Sequence, residues 1–526
     1  MKKKFNTKGI VIQSIILSCV LITALIPATL FAANRYVDSK NGNDTFNGLS
    51  PDSAWCSVVK VNSFMFQPGD TIFFRAGCTW IGQLAPQGSG VKGKAIVIDK
   101  YGPDSLPLIN GNGLTGGAAV RLFNQSFWEI NNLEITNNAA QQGDRRGVEI
   151  LASNCGLVEH IYLKKLHIHH IKGLEGHGDK HKRTAGVYFA TVSDKEKPTR
   201  FDDILVEGCE IHHIYNQGIV TNNEAGLGDY PGTGSFHDKK FTHLRIRGNT
   251  VHHISKNAMI IRLCDSTCVI EYNVCYETAL SLTALTGIPV DPSMRHGNTI
   301  FSRSCNGTVF QFNEGYFNRG EAYDGSLYDP DLSSPNCVFQ YSYSHDNAHG
   351  LFWVCTTPED SGIVCRYNIS QNDRGIIFCP NYAFKSVYFY NNVIFVGAGT
   401  SPRIIDERRE TGKTYYFYNN IICNMSPDAT YNWKGSSKRF FSNNLFYGYH
   451  PENEPDDANK KIADPLFNNP GNGGTGIRSV AGYKLKRKSP CLNVGMVIQD
   501  NGGRDYWGNE IIDGKPDIGT FELNKK

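Results

Sequence analysis

Short apolar alternations recur along this chain, each followed by a small or amide residue. They read EINNLEI at 129–135, YLKKLHI at 162–168, LVEGCEI at 205–211, RIRGNTV at 245–251 and VIEYNVC at 269–275. They continue as VFQFNEG at 309–315, VFQYSYS at 338–344, VCRYNIS at 364–370, FYNNVIF at 389–395, FYNNIIC at 417–423 and FSNNLFY at 441–447. Matching positions fall at 133, 166, 209, 249, 273, 313, 342, 368, 392, 420 and 444, so the period varies between 24 and 43 residues. A fixed minimum with a variable excess predicts a parallel β-solenoid. Each coil needs the same short strands, and insertions loop outward at turns without disturbing the stack.

Alternation along each strand places one set of side chains inside and the other outside. Equivalent residues of successive coils then sit about 4.8 Å apart and form ladders. The recurrent Asn predicts an amide ladder at a turn, because Asn tolerates left-handed backbone and can bond the Asn of the next coil. A second ladder follows from IHHI at 168–171, IHHI at 211–214 and VHHI at 251–254, with Tyr276, Tyr316, His345 and Gln371 continuing its column. Ring-on-ring stacking accounts for these histidines. A metal cage needs convergent ligands with acidic partners, which the pattern does not reliably supply.

The ends differ from the middle and carry a family resemblance. The opening YVDSKNGNDTFNG, the PGDTIFFRAG turn and the closing DPLF, SPCLNVG, DYWGN and PDIGTFE segments resemble secreted right-handed parallel β-helix proteins of the pectate-lyase-like superfamily, of the bacterial glycan-degrading type. So does the block QFNEGYFNRGEAYDGSLYDPDLSSPNCVFQYSYSHDNAHG. The resemblance covers nearly the whole chain after its first residues. It implies an all-β right-handed parallel β-helix with capped ends. It does not fix the reaction, because this fold hosts lyases, hydrolases, esterases and adhesins. The organisation expected is a signal peptide at 1–33, an N-terminal cap and first coils at 34–128, a helix core at 129–447 and C-terminal coils and cap at 448–526.

Bulk composition agrees with such a fold. At 526 residues the chain is too long for one ordinary globular core, and a repeat architecture escapes that limit. Abundant Tyr (25), Phe (29) and Gly (53) favour β structure with many turns. A net charge of +3 gives no basic stripe for nucleic acid. The N-terminus, MKKKFNTKGIVIQSIILSCVLITALIPATLFAA, reads as a secretory signal, predicting a secreted or periplasmic protein; a weak lipobox at Cys19 makes lipid anchoring the lesser alternative. No later segment is apolar enough to span a membrane. The remaining 14 cysteines show no tight framework and read as small buried hydrophobes.

The chemistry concentrates in EAYDGSLYDPD at 321–331, which holds four carboxylates in eleven residues. Asp329 and Asp331 are two apart and share one face of a strand, with Cα atoms about 6.6–6.8 Å apart. Carboxylates about 5 to 9.5 Å apart serve as the acid and base, or acid and nucleophile, of glycosidases. Like charges this close also push one pKa up, which suits a proton donor. Asp324 is the third candidate. A solvated acidic turn and a Ca²⁺ site are the competing readings. The length of the insertion between Asn313 and Asp329 leaves the register open by one residue, so an outward-facing pair is an expectation.

Neighbouring coils are expected to complete a groove. Arg262 and Arg303 would bind an anionic group, Trp353 would stack on a sugar, and His345 would flank the same region. A separate possibility is the insertion GLEGHGDKHKRTAG at 173–186, whose His177, Lys180, His181, Lys182 and Arg183 could serve a lyase. The function expected is a polysaccharide-degrading enzyme, a glycoside hydrolase before a uronate-directed polysaccharide lyase or a non-catalytic glycan-binding protein. It acts as a monomer on a polysaccharide or oligosaccharide, requires no cofactor, and leaves Ca²⁺ as the one metal to consider.

Overall fold

A computed structural model describes residues 32–176, 178, 181–224, 239–280, 296–320, 324–435, 437–511 and 514–523. The expected signal peptide therefore lies almost wholly outside the described residues, as do His177 and Lys180. Among the described residues, three parallel sheets of fourteen, fourteen and eleven strands account for the architecture. Over the middle of the chain each sheet takes every third strand in order, so each coil contributes one strand to each sheet. This is the parallel β-solenoid expected from the drifting period and the right-handed parallel β-helix that the resemblance implies.

The core is a set of columns. In the first sheet Ile246, Ile270, Phe310, Phe339, Cys365, Phe389 and Phe417 pair in register from coil to coil. Phe310 stacks on Phe339 at 4.7 Å and Phe389 on Phe417 at 4.9 Å. At the N-terminal end, Trp55, Val58, Val61 and Phe66 join this core; Val58 and Val61 sit one turn apart on the short helix Val58–Asn62, so both face inward.

The amide ladder forms where the repeat places it. Asn249 donates to Asn273 at 2.9 Å, Asn273 to Asn313 at 3.0 Å, Asn368 to Asn392 at 3.1 Å and Asn420 to Asn444 at 3.0 Å. Asp457 accepts from Asn444 at 2.7 Å and ends the chain of bonds. The left-handed residue of this turn is not the laddering Asn but its predecessor: Tyr272, Phe312, Tyr341, Tyr367, Asn391, Asn419 and Asn443 all have φ between 51° and 58°. Bonds from the buried amides hold even bulky residues in that conformation.

The C-terminal segment does more than cover an end. Phe467, Tyr483, Cys491, Tyr506 and Ile518 pack laterally on Tyr343, Ile369, Val393 and Ile421 in a second apolar cluster. Asn391 donates to the carbonyl of Gly519 at 2.9 Å, and Tyr341 to that of Arg504 at 3.0 Å. The 14 cysteines are free of disulfides and mostly buried. Among the described residues no helix is long and apolar enough to cross a membrane.

Candidate active site

The third sheet carries the acidic cluster on its outward side. Its inward column runs Met259, Ile300, Tyr328, Phe352 and Phe378, all in the core. Side chains alternate, so the next residue on each strand faces out. That column runs Ile260, Phe301, Asp329 and Trp353, and the column two residues on runs Arg262, Arg303 and Asp331. The register left open by the insertion is thus resolved with Asp329 and Asp331 outward and Pro330 between them, paired with Ser302. The Asp331 amide takes up the ladder again, donating to the Ser302 carbonyl at 2.8 Å.

Outward does not mean exposed. Asp329 and Asp331 are only 4% and 7% accessible and Trp353 only 2%, so this pair does not stand open to solvent. Asp324 is the member that reaches solvent. It is half-buried and lines a pocket of about 70 Å³ with Lys182, Gln217, Lys256, Asn257, Gly297 and Phe301.

One residue ties two of the three acids together. Asn298 stands at the start of the Ile300–Arg303 rung and donates its amide to Asp329 at 2.7 Å. Its side-chain carbonyl accepts the backbone N–H groups of Gly325 and Ser326, both at 2.9 Å. The segment bearing Asp324 is thereby pinned over Asp329. Gly325 makes this possible by close approach, since a Cβ there would sit 2.6 Å from the His349 ring.

Burial and mutual repulsion set the protonation of the trio. The Asp324 carboxyl is pushed up to about 6, first by burial and then by the charge of Asp331, against the pull of Lys182, a hydrogen bond from Asn298 and Arg408. Asp329 is driven well above the usual carboxylate range by burial and by both neighbouring acids. Asp331 is raised by burial, and Arg303, Lys182 and Arg262 work in the opposite direction. His349, held against Trp353 at 5.8 Å, is kept down at about 4 by burial and by Arg408 and Arg403. Among the described residues Asp329 Oδ1, His349 Nδ1 and Trp353 Nε1 are buried without a hydrogen-bond partner.

The structure brings together most of the sequence candidates, with exceptions. Arg262 and Arg303 face Asp331 from the preceding rungs; Arg262 also donates to Asn222 at 2.9 Å. Their guanidinium groups are buried against the protein's own carboxylate, which differs from a surface arginine awaiting an anionic substrate. Trp353 neighbours Asp329 but is covered, with Arg408 over its ring at 5.4 Å. His345 is not part of the cluster. It lies on the second sheet, pairs with Tyr316 and Gln371, and bonds Glu314 at 3.2 Å and Asp346 at 2.9 Å. Of the basic insertion at 173–186, Lys182 sits on the same pocket as Asp324, 5.6 Å from the Phe301 ring centre. Sequence reasoning missed Asn298, His349 and Arg408. A signal existed for Asn298, since Gln217, Asn257 and Asn298 open three successive rungs with an amide.

No family model matches the chain. It is 26% identical to a lacto-N-biosidase of Bifidobacterium longum subsp. longum over 93% of its own length but only 36% of that protein's, so it spans about a third of that relative. A crystal structure of a GH136 lacto-N-biosidase from Eubacterium ramulus has a similar fold, with a TM-score of 0.63 at 22% identity over 74% of this chain and 67% of the other. The structure of XylC in complex with xylose follows at 0.51, 13% identical over 94% of this chain and 99% of that one.

Proposed function

We propose that this chain is a glycoside hydrolase that cleaves a glycan at the Asp324–Asp331 cluster. The observation that carries this reading is the convergence of three acids of unlike surroundings, with Asp324 lining a pocket beside the more deeply buried Asp329 and Asp331. The likeness to a lacto-N-biosidase over nearly all of the chain supports it.

The roles follow from the surroundings. Asp324 reaches solvent and, with its carboxyl pushed up to about 6, keeps its proton in mildly acidic solution, so it serves as the acid that protonates the departing glycosidic oxygen. Asp331, flanked by Arg303, Arg262 and Lys182, is the acid with the most cationic support and acts as the carboxylate partner. Asp329, whose carboxyl burial drives well above the usual range, bonds Asn298, and Asn298 in turn positions the segment bearing Asp324. The cations around the trio already offset its charge, so the reading requires no Ca²⁺. This moves the reacting pair from Asp329 and Asp331, the pair suggested by spacing alone, to Asp324 and Asp331.

Lacto-N-biosides are the first substrates to test, together with a panel of plant, algal and host glycans. Release of reducing sugar without new absorbance near 235 nm is the expected result. Absorbance near 235 nm would mean elimination on a uronate, with Lys182 and Lys256 on the pocket wall as the cations, and would replace hydrolysis by a lyase reaction. No product from any glycan would leave a binding role. Export rests on the N-terminal lysines and apolar run, and the mass of the mature protein recovered outside the cytoplasm tests it.

A further inference from the structure

The second sheet carries a cluster that glycan cleavage does not use. His169, His212 and His252 stack from coil to coil with ring centres 5.3 and 4.9 Å apart. His167 lies in the adjacent column, between Glu134 of the preceding coil and Glu210 of the following one. Contrary to the sequence expectation, the fold therefore supplies acidic partners. The His167 and His212 Nε2 atoms are 2.8 Å apart, and His169 Nε2 lies 2.9 Å from a Glu134 oxygen. Two ligand sets result, Glu134–His167–His169 and His167–Glu210–His212, and within each the ligand atoms all lie within 4.8 Å of one another.

We propose that the first set binds one divalent transition-metal ion of the zinc class, with His167, shared by both sets, as the indispensable ligand. Two imidazoles and a carboxylate with a place left for water are a known tetrahedral donor set for such ions. Supporting contacts are in place: His170 Nδ1 meets His169 Nδ1 at 2.7 Å, and His213 Nδ1 meets His212 Nδ1 at 2.7 Å. A ring nitrogen bonded in this way fixes the tautomer and leaves the opposite nitrogen free to ligate. When the ion displaces the proton between His169 Nε2 and Glu134, both neutral rings change tautomer: His169 carries its proton on Nδ1 and donates it to His170 Nδ1, and the exposed His170 ring carries its own on Nε2. The ion would join adjacent coils through Glu134 and the two histidines, on a different sheet from the aspartates, so its role is to clamp the stack.

The test is calorimetric titration of ZnCl₂ into the full chain, without a histidine tag and stripped with chelator, alongside thermal unfolding. About one equivalent should bind and raise the unfolding temperature. His167→Ala should weaken binding at least tenfold and abolish the temperature shift, and Glu134→Gln should weaken it about tenfold. His253→Asn, outside both sets, should bind as the parent does. If His167→Ala does not fold, Glu134→Gln, which keeps the side chain's shape, decides alone. Absence of zinc binding by the parent, or unchanged binding by His167→Ala or Glu134→Gln, would overturn the proposal.

Discussion

Asn298 and Asp329 are joined by a 2.7 Å hydrogen bond between two side chains that are both buried on the outward face of the third sheet. The bond fixes the depth of Asp329, and the carbonyl end of the same amide fixes the loop that presents Asp324. Asn298→Ala should therefore damage activity and stability together. Buried groups left without partners cost about 1–3 kcal/mol, so the unfolding midpoint should fall measurably. Turnover should drop by more than this loss of folded protein explains, and kinetics at a temperature where the variant is fully folded separates the two effects.

The pH profile follows from Asp324. Its carboxyl titrates at about 6, and an acid that donates a proton works only while it holds one. Activity should thus decline as pH rises through about 6, a midpoint that belongs to the coupled cluster as a whole. Arg408 is one of the charges that hold this value down. Arg408→Gln should move the declining limb to higher pH, and a limb that stays in place would remove Asp324 from the acid role.

Arg303 offers a complementary test on the other acid. It is the largest charge opposing the upward shift of Asp331. Arg303→Gln should raise the pH at which Asp331 ionises, moving the acidic limb of the profile upward and lowering turnover near neutrality. An unchanged acidic limb would mean that Asp331 does not act as the ionised partner.

The amide ladder makes a prediction about the fold alone. Asn368 accepts the Ser342 N–H at 2.9 Å and donates to the Phe339 carbonyl at 3.0 Å and to Asn392 at 3.1 Å. Asn368→Ala leaves a buried N–H and a buried carbonyl unpaired at about 1–3 kcal/mol each. Denaturant unfolding should reveal a loss of roughly 2–5 kcal/mol, with the pH profile of activity unmoved.

The coils were legible in the sequence because a stacked solenoid is the fold that joins a two-residue alternation to an Asn returning at a drifting period. Tyr276, Tyr316 and His345 fall in one stacked column, as their offset from the repeat predicts, with centres 5.0 and 4.7 Å apart. The same column holds His345 on the second sheet, although the sequence also offered it to the groove beside Asp329; sharing a coil with an acidic rung does not mean sharing its face. Lys182 and Arg408 could not be placed from the repeat, because they sit on insertions whose path the coil period does not constrain. Burial of Asp329 and Asp331 was equally hidden, since alternation separates inside from outside but does not tell what covers the outside.

Catalysis by the acidic cluster is tested most directly by the turnover of Asp324→Asn and Asp331→Asn on a glycan that the parent cleaves, with circular dichroism and unfolding midpoint matched to the parent. Each variant should lose at least about a hundredfold in kcat, the scale of a missing proton donor or its partner. Parent-like turnover by either folded variant would contradict the assignment.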